Sequence, residues 1–298
     1  MAEQQQGTFD DRDGWIWLDG EMVPWRDARV HVLTHALHYA SSVFEGQRAY
    51  NGEIFKLREH CERLHKSANL LGFEIPWGVE EIASACKEVL KANKLVDAYM
   101  RPVAWLGSER MGVSPTGTKA HVAIAAWEWG KYFSPEKAVK GIRLTLAPWR
   151  RPAPYTAPVH SKASGLYMIA MLSRKHAEDT GFDDALMFDW RGQVAEATGA
   201  NAFFIRNGSL ITPTPDCFLN GITRQTIMDL ARRRGIEVNE RAIWPDELES
   251  FEQMFLTGSA AEVTPVGSVG PWNFEVGDLT RQLAKDYDDL VNGRIPNV

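Results

Sequence analysis

The sequence predicts an α/β fold of the α+β type in two domains, and three observations predict it. A chain of 298 residues is longer than one compact core usually serves. Asp19-Gly20, Asn51-Gly52 and Asn207-Gly208 each stand between apolar runs, the strongest short-range sign of a β-hairpin. Between the hairpins, apolar residues recur at helical spacing, as in Cys61, Leu64 and Ala68 or Ile227, Leu230 and Ala231. The composition loosens past residue 130. A smaller N-terminal α/β domain is therefore placed at 1–133, an inter-domain linker at 134–141 and a larger C-terminal domain at 142–298.

Composition narrows the function classes. The apolar and charged fractions are those of an ordinary globular enzyme. A formal net charge of −6 speaks against nucleic acid or an acidic membrane surface as a partner. No apolar run approaches membrane-spanning length. Residues 1–12 are polar, lack the regions of a signal peptide and are expected to fray. Cys61, Cys86 and Cys217 are odd in number, far apart and in no CxxC. They fit reduced thiols in the cytoplasm and argue against a cysteine metal site.

Taken in order, residues 15–25 read as two short strands around Asp19-Gly20. His31, His35 and His38 would share one face of a helix, so a metal site has to be weighed. Buried hydrogen-bonded or solvated histidines are the favoured reading, because no carboxylate or Cys ligand can be placed beside them. Residues 54–57 read as a strand, followed by a helix whose buried stripe Arg63 borders. Residues 79–93 read as a second helix, and 99–106 and 121–127 as central strands. Tyr99 and Arg101, two apart on a strand, point to the same face. Residues 148–160 carry four prolines and should form an ordered loop that delivers Lys162 to the start of a helix at 166–176. A desolvated amine of lowered pKa is easily built there, although most lysines are solvated surface charges. Residues 185–189 read as a strand and 202–205 as the first arm of the Asn207-Gly208 hairpin. Gly221 and Thr223 then open a helix, with Thr223 as the expected N-cap and bare amides suited to phosphate. A strand at 236–241, a loop at 254–265 and a helix at 278–290 complete the chain.

Glu196, Asn201, Phe203, Thr212, Gly221, Ile222 and Arg224, in this order, resemble the signature of the class IV (fold type IV) aminotransferases, which use pyridoxal 5'-phosphate. Residues 35–50, HALHYASSVFEGQRAY, are similar to the N-terminal motif of the branched-chain amino acid aminotransferases, with Tyr39, Phe44, Glu45, Gly46, Arg48 and Tyr50 in place. The segments around Arg63, Tyr99 and Arg101, Val113, Lys162 and residues 254–265 match as well, so the resemblance runs from about residue 15 to about 290. It departs at Leu166, where the family usually has a polar residue, and at Thr257-Gly258-Ser259-Ala260, where the family prefers Ser-Gly-Thr-Ala.

The resemblance implies a fold type IV enzyme with a barrel-like sheet in the larger, cofactor-binding domain. It implies transamination between leucine, isoleucine or valine and 2-oxoglutarate, by ping-pong chemistry. Lys162 would be the Schiff-base lysine, Glu196 the partner of the pyridinium nitrogen and Tyr167 that of the ring oxygen. Arg63, the amides of Ile222 and Thr223, and Ser259 would hold the phosphate. Tyr99 with the amides of Ser259 and Ala260 would take the substrate α-carboxylate. Phe44, Gly46, Tyr39, Trp129, Tyr132, Tyr167 and Val113 would wall the side-chain pocket, and Arg101 would meet the γ-carboxylate of glutamate. Some of these come from a neighbouring subunit in the family, which implies a homodimer at the least, with a homohexamer as the larger alternative. The commoner fate of such aromatics is plain core. Two other readings stay open: a class IV transaminase for (R)-amines or D-amino acids, against which FEGQRAY and AYMRP speak, and a non-catalytic binding protein on the same fold.

Overall fold

The computed structural model describes residues 8–130 and 135–296 and divides the chain into two compact units. One holds residues 8–130 together with 161–166; the other holds residues 135–160 and 167–296.

In the first unit the elements are β1 (Trp15–Leu18), β2 (Glu21–Pro24), α1 (His35–Tyr39), β3 (Ser42–Phe44), β4 (Gln47–Tyr50), β5 (Glu53–Ile54), α2 (Leu57–Leu70), α3 (Val79–Ala92), β6 (Ala98–Leu106) and β7 (Ala120–Glu128). The strands form one sheet in the order β2-β1-β7-β6-β4-β5, with β3 also on β6. β3 and β4 lie along β6 in one register, interrupted at Glu45-Gly46 opposite Pro102. Proline has no N–H to continue the ladder, and only Glu45 N–H to Pro102 O (2.8 Å) bridges the gap. α2 and α3 bury Cys61, Leu64, Ala68, Ile82, Cys86 and Val89.

Two expectations change here. The strand at 54–57 is only Glu53–Ile54, because Lys56 turns left-handed (φ 51°) and α2 starts at Leu57. Beyond residue 7 the N-terminal segment is held rather than frayed. Trp25 Nε1 donates to Phe9 O at 2.6 Å, Arg26 pairs with Asp11 (2.6 Å) and Asp13 (2.8 Å), and the Phe9 ring sits edge-on to Trp127.

The second unit contains α4 (Pro135–Lys140), β8 (Ile142–Leu146), α5 (Tyr167–Asp179), β9 (Asp184–Phe188), β10 (Val194–Ala197), β11 (Asn201–Arg206), β12 (Ser209–Thr212), α6 (Ile222–Arg233), β13 (Val238–Glu240), β14 (Gln253–Gly258), β15 (Glu262–Val269), β16 (Trp272–Asn273) and α7 (Asp278–Val291). Strands β10-β9-β8-β15-β14-β11 are hydrogen-bonded in sequence, and β10 pairs with β11 as well, so these six close into a barrel. The barrel-like sheet expected of the family is therefore present. Ile142, Leu144, Leu186, Ala202, Phe204, Met254 and Leu256 belong to one apolar core. Phe203 and Phe255, partners in register, stack on the opposite strand faces at 5.1 Å. The expected loop at 254–265 is instead the hairpin of β14 and β15, turned at residues 259–261. The strand expected at 236–241 is shortened to β13.

Candidate active site

In the first unit Lys162 lies on a strap, residues 161–166, bound to the sheet. Val43 and Ala163 form an antiparallel bridge, and Phe44 N–H donates to Lys162 O at 3.1 Å. Lys162 Nζ stands 5.0 Å from the centre of the Phe44 ring.

Glu45 sits at the interruption between β3 and β4 and is fully buried. Arg63 forks onto it, Nε to Oε1 at 2.6 Å and Nη2 to Oε2 at 2.8 Å, and His60 Nδ1 lies 2.7 Å from Oε2. Burial pushes the Glu45 carboxyl up, but Arg63 and then His60 overcome it and hold it well below the usual carboxylate range. Burial lowers the His60 pKa against the pull of Glu45, so the ring is neutral and donates from Nδ1. His60 and Arg63, three apart on α2, thus present one face to Glu45.

Tyr99 and Arg101 do share a face of β6. Arg101 Nη2 donates to Tyr99 Oη at 3.1 Å, and its guanidinium lies over Phe44 (4.6 Å) and Tyr99 (5.3 Å). Arg101 Nε is buried without a hydrogen-bond partner, and no acid among the described residues pairs with this guanidinium. A Cβ on Gly46 would fall 2.1 Å from Tyr99 Oη, so only glycine lets that hydroxyl approach. Trp129 and Trp127 flank Tyr99, with ring centres at 5.1 and 5.3 Å.

Phe44, Gly46, Tyr99, Arg101, Trp129 and Lys162 therefore gather within one unit, and Arg63 bonds Glu45, the residue between Phe44 and Gly46. Tyr39 and Val113 stand apart and are 40% and 79% exposed. Tyr132 lies outside the described residues. The three N-terminal histidines take separate partners: Leu33 N–H on His31, Ser41 Oγ at His35 and Val32 O at His38.

In the second unit Glu196, Asn201 and Thr257 form one rung across β10, β11 and β14. Asn201 Nδ2 donates to Glu196 Oε2 and to Leu219 O, each at 3.0 Å, and its Oδ1 accepts Gly221 N–H at 3.1 Å. Arg151 Nε lies 3.4 Å from Glu196 Oε1. Asn201 thereby fixes both the carboxylate and the entry to α6. A Cβ on Gly221 would fall 2.3 Å from Asn201 Oδ1. The N-cap is Gly221, with no side-chain bond to the helix. Thr223, the expected cap, lies buried inside the first turn, because Asn201 from the neighbouring strand already orders the residue before the helix. The first-turn amides, including those of Ile222 and Thr223, have no partner within the helix. Arg224 is wholly buried and ties the preceding loop to Asn220 Oδ1 (2.8 Å), Pro213 O (3.1 Å) and Glu240 Oε2 (2.8 Å). Thr257 Oγ1 is buried without a partner, and Ser259 and Ala260 form the half-buried turn just beyond it. Tyr167 is the half-buried first residue of α5.

Roles for Glu45, His60, Ser67, Asn201 and Arg151 do not follow from sequence. Glu45 and Asn201 stand inside recognised motifs but with no partner visible in one dimension. The His60–Arg63 spacing on α2 is the one sign that could have pointed to a shared partner such as Glu45.

The second unit thus presents an acid on a strand rung beside a bare helix start, and the first presents a lysine clamped to its sheet. The family model described as amino-transferase class IV matches residues 42–269. The branched-chain-amino-acid aminotransferase of Pseudomonas aeruginosa is 43% identical over 291 residues, covering 95% of each chain. The Escherichia coli branched-chain amino acid aminotransferase structure superposes with a TM-score of 0.92 at 38% identity, covering 96% of this chain and 97% of that one. The T.th. branched-chain amino acid aminotransferase, complexed with N-(5'-phosphopyridoxyl)-L-glutamate, gives a TM-score of 0.91 at 38% identity over 96% of both chains. The chain belongs to the branched-chain-amino-acid aminotransferases of class IV.

Proposed function

We propose that this protein exchanges the amino group of leucine, isoleucine or valine with that of glutamate, using pyridoxal 5'-phosphate in two half-reactions. The donor set of the chain fits the cofactor. Within the second unit, bare amides at the α6 start and the Ser259 hydroxyl suit a phosphate, and a carboxylate fixed by Asn201 suits a protonated ring nitrogen; Arg63 of the first unit is assigned to the phosphate by resemblance. When bound, the cofactor supplies the electron sink for breaking the Cα–H bond.

The residues divide the work. Lys162 would hold the cofactor and, with its amine free, would take the proton from the substrate α-carbon onto Nζ as general base. Glu196 would keep the ring nitrogen protonated, and Tyr167 would hydrogen-bond the ring oxygen. Tyr99, with the Ser259 and Ala260 amides, takes the α-carboxylate. Phe44, Gly46 and Trp129 wall the side-chain pocket, and Tyr132 is assigned there by resemblance. Tyr39 and Val113, exposed in this chain, complete the wall from a neighbouring subunit, so a homodimer is the working unit. Three free cysteines suit a cytoplasmic site of action.

The observation that carries this reading is Arg101. A buried guanidinium nitrogen with no partner, beside a tyrosine and over an aromatic ring, suits a second carboxylate in an otherwise apolar pocket. That is what separates glutamate from leucine in one site. The T.th. relative's complex with a phosphopyridoxyl glutamate supports the same division.

Initial rates with leucine, isoleucine, valine, D-alanine and (R)-1-phenylethylamine against 2-oxoglutarate test the reading. The three branched substrates should be fastest. Faster turnover of D-alanine or of the amine would replace it with another class IV activity. Borohydride reduction of the yellow protein should leave the adduct on Lys162, and an adduct on another lysine refutes the assignment.

A further inference from the structure

The last turn of α2 ends unusually. The final four carbonyls of a helix have no partner inside it. Leu71 N–H turns to Ala68 O at 2.9 Å. Ser67 O is met by the hydroxyl of Ser161 at 2.9 Å. The hydroxyl of Ser67 itself accepts Lys162 N–H at 3.0 Å. Phe44 N–H holds Lys162 O from the other side, Ala163 bridges to Val43, and Ser42 Oγ donates to Ser164 Oγ at 2.8 Å. Each residue from 161 to 164 is thus held by a bond of its own. Ser67 is wholly buried, yet serine is a poorer helix former than alanine. Its hydroxyl is therefore explained by its partner rather than by packing.

We infer that Ser67 is a positioning residue for Lys162: it fixes the root from which the lysine arm swings between carrying the cofactor and moving the α-proton. The inference rests on the proposed role of Lys162. A flexible side chain needs a fixed Cα to return to one geometry, and a displacement of about 1 Å at a reacting group can cost about a hundredfold in rate. Losing one of several clamping bonds loosens the root without releasing it. A slowing of about fivefold to tenfold follows.

The test uses the holoenzyme and the variants Ser67→Ala, Ser161→Ala and Ser173→Ala. Ser173 is the control: it is wholly buried in the other unit, and its hydroxyl has no hydrogen-bond partner. Amide exchange of a peptide spanning 161–163 reads the clamp directly. Single-turnover rates with leucine and α-deuterated leucine read the proton transfer. In Ser67→Ala the Lys162 amide should exchange about tenfold faster, the hydrogen-bond scale for one lost partner. Proton transfer should slow with a larger isotope effect, and KM for leucine should stay unchanged. Ser161→Ala should show the same changes in smaller measure and carries the test if Ser67→Ala does not fold. Ser173→Ala should show neither change. Exchange and rate in Ser67→Ala within about twofold of the parent would overturn the inference, as would equal slowing in Ser173→Ala. Borohydride mapping separates the two levels. An adduct on Lys162 with no effect of Ser67→Ala refutes this inference alone, whereas an adduct elsewhere removes the functional reading beneath it.

Discussion

Replacing Arg101 with methionine should split the two half-reactions. Methionine keeps an unbranched apolar stem and removes the charge. Two losses follow, of different size. The bond from Arg101 Nη2 to Tyr99 Oη and the stacking on Phe44 go for every substrate. One hydrogen bond from a charged guanidinium is worth about 1.5–3 kcal/mol net, and leucine and glutamate lose it alike. The charge itself matters only where a second carboxylate enters the pocket. Truncating one partner of a buried charge pair costs about 2–5 kcal/mol, which is about thirtyfold to several thousandfold in glutamate and 2-oxoglutarate affinity. An apolar wall cannot offset this, because an unpaired carboxylate is costly to bury. Single-turnover rates and half-saturation constants, measured separately for leucine and for glutamate, give the two numbers. Glutamate should fall by at least tenfold more than leucine. Equal losses would mean that Arg101 serves Tyr99 and the α-carboxylate, and selection of the second carboxylate would have to lie elsewhere.

Other outcomes follow from the same geometry. Glu196→Gln should retain cofactor but slow α-proton transfer by a factor on the order of a hundred or more, the scale for one preorganised electrostatic group, and an unchanged single-turnover rate would make Glu196 structural. Gly221→Ala places a Cβ 2.3 Å from Asn201 Oδ1. It should lower the Tm and loosen cofactor at a cost of about 1–3 kcal/mol, and a variant as stable and as tightly loaded as the parent refutes the close approach. His121 bonds Asp19 at 2.6 Å and Glu109 at 3.0 Å. Burial lowers its pKa, but these two acids outweigh that and raise it above the usual value. A raised folded pKa stabilises fully below about pH 6.5 and ceases to stabilise as pH rises through it. The Tm gap between parent and His121→Gln should therefore shrink as pH rises above about 6.5, and a gap that widens contradicts the assignment.

Much of the site could be read in one dimension where the argument needed only period or order. Tyr99 and Arg101 fall on one face because strands alternate, and the structure puts the two side chains in contact. The hairpins at Asp19-Gly20 and Asn207-Gly208 were set by turn chemistry, with Asp19 and Asn207 at positive φ. What could not be read depends on partners distant in sequence. Thr223 looks like a cap locally, yet Asn201, twenty residues before Gly221, orders the helix entry. Residues 54–57 have strand character, but Lys56 takes a left-handed turn. Ser67 carries no local sign at all, since its partners lie about ninety-five residues onward. Arg63 borders a helix stripe for no visible reason until Glu45, buried at the Pro102 interruption, supplies one.

The strap at 161–166 also sets an order of events during synthesis. Its six residues belong to a unit whose other members end at residue 130. When the ribosome has made that stretch, β3 still lacks Ala163, and Ser42 still lacks Ser164. About thirty-six further residues must emerge first, which takes about two to seven seconds at ordinary elongation rates. The N-terminal unit is therefore an unfinished acceptor for that interval, its Ser67 hydroxyl and Phe44 amide waiting for strands of chain not yet made. The amine proposed to bear the chemistry is among the last pieces to arrive, and it arrives at a sheet already able to receive it. A nascent chain stalled before residue 161 should accordingly hold this unit in a looser state than one stalled well past 166.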